Sequence, residues 1–299
     1  MIQNNIGELA AIGTALSWTI VGLIFGKVST RIGSASTNFY KLIFGFIMLT
    51  ATAFVTRGLL FPTDASLHNW IWLTISGVLG FFVGDYFMLK GYIEVGVRVS
   101  MVLMAASPPM AAILGFILLH ETLSATGLLG MFVTIAGIIM VILSKDDNKS
   151  KVKVKYSIKG LAYALIGVFG NAAGMVFSKV GLGDYNVMAA TQIRIIAGFL
   201  SFLLFVTIKK EWPSVKLAIK DKEALKLTFW GSFFGPFIGV NLSLTALKYT
   251  SAGIATTLTS ITPVTIIPFS ITILKEKVKV KEIIGAAISV IGIAILLLI

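Results

Sequence analysis

Ten stretches of about 20 mostly apolar residues, the length of helix that crosses the hydrocarbon of a bilayer, occupy most of this 299-residue chain. They fall at 7–27, 36–56, 69–92, 97–119, 126–144, 158–178, 187–208, 225–247, 251–273 and 280–299. A soluble fold does not bury so many unbroken apolar runs. The charged fraction of 13% is also only about half of the ~25% usual in soluble domains. The expectation is an all-α membrane protein, since in lipid each backbone N–H and C=O must be satisfied inside its own helix or a closed barrel. The longest polar connection, 209–224, leaves no soluble domain between the spans. The start, MIQNNIGELAAIG, lacks a positively charged leader, so the first run reads as a retained span.

The pattern occurs twice. Residues 91–109, GYIEVGVRVSMVLMAASPP, are laid out like residues 246–264, ALKYTSAGIATTLTSITPV, at an offset of 155. At that offset Gly80 falls on Gly235, Gly84 on Gly239, Pro108 on Pro263, Glu121 on Glu276, Gly130 on Gly285 and Gly137 on Gly292. Nearer the front, Phe25 and Lys27 match Phe177 and Lys179 at 152, and Lys41, Gly45 and Phe46 match Arg194, Gly198 and Phe199 at 153. The chain therefore reads as a first five-helix repeat over 1–144, a basic linker over 145–156 and a second repeat over 157–299. Because five is odd, the second half enters the membrane from the opposite side, giving two inverted repeats and ten transmembrane helices. Transporters are often built so, with interrupted helices near a midplane site. Pro108 and Pro263 are then hinge or kink positions lining a cavity, or else simple packing kinks.

Basic residues are distributed unevenly. Nineteen of the 25 Lys and Arg lie in five alternate connections: Lys27 and Arg31, Lys90 and Arg98, 145–155, 209–226 and 275–281. The other connections hold only Arg57, Lys179 and Lys248. The positive-inside bias puts the five basic loops in the cytoplasm and both termini outside. The net charge of +12 is accounted for this way, and no nucleic-acid partner is expected, because the aromatics lie mainly in the spans rather than among the basic residues. With no cysteine and two distant histidines, His68 and His120, no metal site, thiol chemistry or cofactor is expected.

ALKYTSAG and its following proline, then Glu276, Gly285 and Gly292, resemble the EamA-type branch of the drug/metabolite transporter superfamily. Gly91-Tyr92, Gly96, Pro108, Glu121, Gly130 and Gly137 repeat the frame in the first half, and Lys41 and Arg194 match a basic position that is more often Arg at both places in that family. The resemblance covers essentially the whole chain. It implies a secondary transporter of small metabolites, often an exporter of amino acids or related compounds. It also implies a central cavity surrounded by spans 1–4 and 6–9, with spans 5 and 10 outside. Cytoplasmic termini, which the resemblance also implies, oppose the charge distribution.

Charged residues at membrane depth are the first candidates for a site. Asp85 lies about seven residues from the end of the third span and Lys41 about six into the second, each roughly 10 Å deep from the same side. A charge at the bilayer centre costs about 2.5–3.5 kcal/mol on insertion scales, so such groups pair or face water. A Lys41–Asp85 interaction is expected, either structural or functional. In the functional reading Asp85 takes a proton or a substrate amine and Lys41 a carboxylate or phosphate. Arg194 is the counterpart of Lys41, but where Asp85 would recur the second half has Val240, with Asn241 beside it. It binds substrate, or anchors a helix carbonyl or lipid headgroup. Trp18, Tyr40, Tyr86, Asn171, Gln192, Asn241, Ser107, Thr256, Thr259 and Thr262 add polar groups, though any one hydroxyl more often bonds back to its own helix. Four GxxxG pairs, Gly22–Gly26, Gly80–Gly84, Gly170–Gly174 and Gly235–Gly239, read as close helix contacts. Glu121 and Glu276 read as caps at helix N-termini.

The expected function is secondary transport of a small polar metabolite, an amino acid or related compound in the export direction, by alternating access. Proton coupling at Asp85 is part of that expectation. The partners are the solute and membrane lipids, the state a monomer or weak homodimer, and the location the cell membrane, multi-pass. The alternative is a non-transporting membrane protein such as a lipid scrambler or scaffold. An enzyme is not expected, because no acid pair, metal-ligand spacing or serine–histidine pairing stands out. ATP-driven pumping is not expected either, because no GxxxxGK[ST] loop occurs.

Overall fold

The computed structural model describes residues 6–119, 124–145, 152–154, 156–249, 258–273, 275 and 278–298. His120, Glu121, Thr256 and Glu276 lie outside the described residues. Among the described residues seven helices are long and apolar enough to cross a membrane: α1 (Ile6–Arg57), α2 (Leu67–Val95), α3 (Val97–Leu118), α4 (Ala125–Ile142), α5 (Ile158–Leu182), α6 (Val187–Ile208) and α8 (Lys222–Ala246). A short α7 (Trp212–Ala218) precedes α8, and α9 (Thr262–Thr272) and α10 (Val280–Leu298) follow it. Between α4 and α5, in the stretch read as a plain linker, β1 (Leu143–Lys145) pairs antiparallel with β2 (Val152–Val154).

Helix α1 is two arms. At Gly33 the backbone leaves the helix (φ 80°, ψ 158°), a conformation open to glycine because it has no Cβ. The chain folds back there. Lys41 Nζ stands 5.8 Å from the Phe25 ring centroid, although 16 residues of straight helix would hold their backbones about 24 Å apart. The arms, 6–32 and 34–57, coincide with the first two expected spans.

The turn at Gly33 and the start of α3 lie at one end of the bundle, because a Cβ on Gly26 would run into Val97. At this end Arg31 pairs with Asp221 and Glu223, Lys27 with Glu223 at 3.4 Å, and Lys159 with Glu94 at 3.5 Å. Hydrogen bonds from Arg31 hold the half-buried Asp221 and exposed Glu223 carboxyls below their usual range, Asp221 first through the amide of Ala224 that it caps. The Arg31, Arg98, 209–226 and 278–281 basic groups thus gather at one end, as their spacing implied. Arg57 pairs with Asp64 at the other end, where Tyr185 also donates to Asp64 (2.9 Å).

Glycine sets how closely the helices approach. Gly80 and Gly84 of α2 meet Gly174 and Gly170 of α5 face to face. A Cβ on Gly170 would sit 2.6 Å from the amide nitrogen of Gly84, and one on Gly174 2.9 Å from the Cα of Gly80. Two of the four GxxxG pairs therefore pack on each other. Gly235 and Gly239 of α8 instead receive Val21 and Ser17 of α1. Against the rest of the bundle α4 and α10 form an antiparallel pair: Gly137 faces Ser289 and Gly285, while Gly292 faces Thr134 and Gly130. Their outward residues, such as Phe132 and Ile291, are exposed (71% and 55%), as a lipid-facing surface requires.

Two deformations occur that periodicity did not signal. In α2 the run Val78–Gly84 widens into a π-helix, and in α8 so does Phe233–Gly239. Each is seven residues long and they are 155 positions apart. In the second, Pro236 has no N–H to give an α-helical ladder, and the wider turn accommodates it.

The α4–α10 contact makes a direct prediction. Gly137→Val places its Cβ about where the backbone of α10 runs (2.5 Å from the Ser289 amide nitrogen, 2.6 Å from the Gly285 carbonyl oxygen). It should lower unfolding stability in detergent by about 1–3 kcal/mol. Ile135→Val, on the exposed face of the same helix, should change it by under about 0.5 kcal/mol. Equal melting of the two variants would remove the close-packing account.

Candidate functional site

A cavity of ≈ 200 Å³ lies between the helices. Among the described residues, its wall draws on the first arm of α1 (Trp18), α2 (Asp85), α3 (Ser107, Pro108), α5 (Asn171), α6 (Arg194), α8 (Ser243) and the start of α9 (Thr262, Pro263), with none from α4 or α10. A second cavity of ≈ 30 Å³, about the room one water occupies, holds Lys41 and shares Trp18, Phe81, Asp85, Met88 and Tyr92 with the first. Asp85 therefore faces both.

Two of the helices around this space are broken where they meet it. Helix α3 tightens to a 3-10 turn over Met104–Ala106, immediately before Ser107 and Pro108. Helix α9 begins at Thr262 with Pro263 in its first turn, after turn residues 260 and 261. Pro263 thus starts a helix rather than kinking a continuous one, because proline fits the first turn, where its missing N–H has no acceptor to lose. Thr262 and Thr265 reach back to the chain: the Thr265 hydroxyl lies 2.6 Å from that of Thr19, and Thr262 donates to Thr259 O at 2.7 Å.

Two cations reach this depth, and their circumstances differ. Lys41 is buried (3% exposed) and its ammonium donates to Asp85 Oδ2, the contact the spacing implied. Its carbonyl accepts from Ser232 (3.1 Å). Asp85 follows directly on the π-helical turn, whose extra residue rotates it relative to a regular helix. Arg194 is equally buried (5% exposed). The Phe81 ring centroid lies 5.0 Å from its Cζ, but Nε and Nη1 have no hydrogen-bond partner among the described residues. Its backbone is locked by the close pass of Gly77, where any Cβ would strike the Arg194 carbonyl.

Asn171 lines the cavity while its amide donates to Gly167 O (3.0 Å), and Thr259 lines it beside Thr262. Four expected residues are not in the wall. Tyr40 turns away and donates to Val215 O (2.9 Å). Tyr86 packs in an aromatic group with Phe202 and Phe205. Gln192 donates to Thr50 (2.9 Å) and Leu60 O (2.6 Å), and Asn241 bonds Phe237 O (2.5 Å) and Thr191 (3.3 Å). The reason is geometric. Each sits one or two positions from Lys41, Asp85, Arg194 or Val240, and helix neighbours at that spacing point to different faces.

The residues missed are apolar: Phe81, Met88, Tyr92, Met101, Met104 and Met175. A signal was present. Phe81, Asp85, Met88 and Tyr92 stand at i−4, i, i+3 and i+7 about the charged residue, one helical face.

Removing one partner of a buried ion pair strands the other charge, at about 3–5 kcal/mol. Lys41→Met should therefore destabilise the detergent-solubilised protein strongly, and adding Asp85→Leu should restore most of the loss. A Lys41→Met protein that melts like the parent would show the pair to be energetically idle.

The family model of the "EamA-like transporter family" matches residues 5–143 and again 158–298. An "Uncharacterized transporter" of Archaeoglobus fulgidus is 22% identical over 293 residues, covering 97% of each chain. The "Uncharacterized transporter YetK" of Bacillus subtilis is 21% identical over 295 residues, covering 98% of this chain and 87% of its own. A solved crystal structure superposes over 98% of this chain and 96% of its own with a TM-score of 0.63 at 14% identity, which speaks to the fold alone. Matched along both halves, and built of helices fit to cross a bilayer, this chain belongs to the EamA-like transporter family and is a multi-pass membrane transporter.

Proposed function

We propose that this transporter is a secondary carrier of a small polar metabolite, an amino acid or related compound moved in the export direction, working by alternating access. The observation that carries the reading is the ≈ 200 Å³ cavity, walled by helices from both ends of the sequence and holding Asp85 and Arg194. A cavity shared by two halves can be opened to either side by rocking one half on the other.

Several observations support ten spans in two inverted halves, divided near the 145–156 linker. The family model matches twice, once on each side of it. The two π-helical turns are 155 positions apart. Contacts recur in pairs at the sequence offsets: Gly45 against Pro236 answers Gly198 against Phe81, and Lys41 O beside Ser232 answers Arg194 O beside Gly77. Helices α4 and α10, which the repeat makes equivalent, run antiparallel with Gly130 on Gly292 and Gly137 on Gly285. Equivalent helices running opposite ways are what inversion requires.

The two ends are tied differently, the basic one by ion pairs and the other by hydrogen bonds such as Asn69 to Gly181 O (2.7 Å) and Tyr185 to Asp64 (2.9 Å). We read the basic end as the closed one. At the basic end the halves are tied by Arg98–Glu282, a buried pair at 2.5 Å, and by the Arg31 and Lys27 contacts to Asp221 and Glu223. Tyr156 adds a hydrogen bond to Glu282 (3.4 Å). We assign this end to the cytoplasm on the positive-inside bias. Proton uptake by Asp85 would release Lys41 and change the charge of the cavity, which offers a route to coupling.

In liposomes the purified protein should move labelled amino acids or their relatives saturably, and Asp85→Asn should slow this roughly 10- to 100-fold, the worth of a charged hydrogen bond. Absence of flux across the panel, with rapid leaflet exchange of labelled lipid, would favour a scrambler. The sequence has no cysteine, so a single Ser107→Cys reports access cleanly. It should react with an impermeant thiol reagent from the end opposite the basic one, and Arg98→Ala should open reaction from the basic end. Equal labelling from both ends in the parent would overturn the gating assignment.

A further inference from the structure

Resting on the reading of the large cavity as the substrate site, we infer that, among amino acids and their relatives, the site selects those carrying one net negative charge on an apolar body, as an N-acylated or deaminated relative does, anchored by Arg194, in preference to the plain zwitterion or a cation. Three observations lead there. First, Arg194 lines the cavity at 5% exposure with Nε and Nη1 lacking any partner among the described residues. A guanidinium has five N–H donors and no acceptor, and a buried charge without a counter-charge is costly. The Phe81 face at 5.0 Å attracts the cation but accepts none of these hydrogen bonds in their planar, forked geometry.

Second, the other charges present cancel. Asp85 is bound to Lys41 and also attracts Arg194 through space, but one carboxylate facing two cations leaves the described ionisable groups around the two cavities with one net positive charge. An anionic oxygen pair fits a guanidinium fork. An ammonium would have to displace Lys41 from Asp85 to find an equivalent partner. Third, the asymmetry lies in the sequence itself. The place equivalent to Asp85 in the second half is Val240, which lines the same cavity. The chain thus supplies a carboxylate to one of its two equivalent cations and an apolar wall to the other. Met88, Met101, Met104 and Met175 complete that wall. Methionine is flexible and polarizable, and suits an apolar body whose shape it can follow.

The test uses the detergent-purified full chain and a matched set of probes: 3-phenylpropanoate (one negative charge), phenylalanine (zwitterion), phenethylamine (cation) and phenyl phosphate (largely a dianion at pH 7.5). Affinity is read by calorimetry or thermal shift. The expected order places 3-phenylpropanoate first. Arg194→Gln should weaken it by roughly 10- to 100-fold, the usual worth of a charged hydrogen bond, while Arg194→Lys keeps part of the affinity. Val240→Asp, which gives Arg194 an internal counter-charge and leaves it in place, should weaken binding to a similar extent and raise the melting temperature. Tighter binding of phenylalanine, phenethylamine or phenyl phosphate, unchanged affinity in both Arg194→Gln and Val240→Asp, or no binding of any probe would overturn the inference. Flux separates the two readings. Zwitterion transport untouched by Arg194→Gln refutes the anion anchor and leaves the transporter standing, whereas Arg194-dependent binding without flux of any solute does the reverse.

Discussion

Lipid offers helices no water to flee, so association inside a bilayer rests on how closely backbones can approach. In this chain that approach is made by glycine. Gly77, Gly80 and Gly84 let α2 lie directly on α5 and α6, and Gly170 and Gly174 return the contact from α5. The same device holds α4 against α10 through Gly130, Gly137, Gly285 and Gly292. What these contacts fix is more than cohesion. Gly77 presses on the carbonyl of Arg194 and Gly84 on Asn171, so these close contacts set the position of two groups in the cavity wall. Bulk is absent from these surfaces so that polar side chains nearby can be held at one depth.

Four of the helices that line the cavity are irregular, while α5, α6 and the first arm of α1 meet it as regular helices. Both α2 and α8 widen to π turns, α3 narrows to a 3-10 turn before Pro108, and α9 starts anew at Thr262. Each irregularity frees or shifts backbone groups that a bilayer would otherwise leave unsatisfied, which is tolerable only where a protein cavity replaces lipid. Helices α4 and α10, facing lipid on their outer sides, carry no such break.

Much of this was legible in the sequence. Long apolar runs gave the helices, including the fold-back at Gly33, because the two arms of α1 each had the length of a span. GxxxG spacing marked the glycine faces that α2 and α5 press together, though not which helix meets which, and two charges at equal depth gave Lys41–Asp85. The π turns were not legible, since hydropathy reports burial and is blind to one extra residue in a turn. Nor was the membership of the wall. Tyr40, Tyr86, Gln192 and Asn241 were selected for polarity at the right depth, and depth alone leaves the azimuth free. Rotating about Asp85 by helical spacing would have exchanged Tyr86 for Phe81, Met88 and Tyr92, residues whose apolar character hid them.

The doubled sequence also explains why the two cations ended unlike. Duplication gives each half the same basic position, and Lys41 and Arg194 still occupy it. If both kept an acid at the place of Asp85, the cavity would hold two internal ion pairs and no net charge, a stable wall with nothing to offer a solute. With Val240 in the second half, one pair is complete and the other lacks its acid. Burial makes that incompleteness costly in the empty protein and recoverable when a partner of opposite charge enters. The same reasoning accounts for arginine rather than lysine at position 194: a guanidinium cannot shed its proton to escape the cost, so its charge persists as a demand on whatever occupies the cavity. On the proposal of an anion anchor, the difference between Lys41 with its acid and Arg194 without one is the feature on which solute recognition would turn.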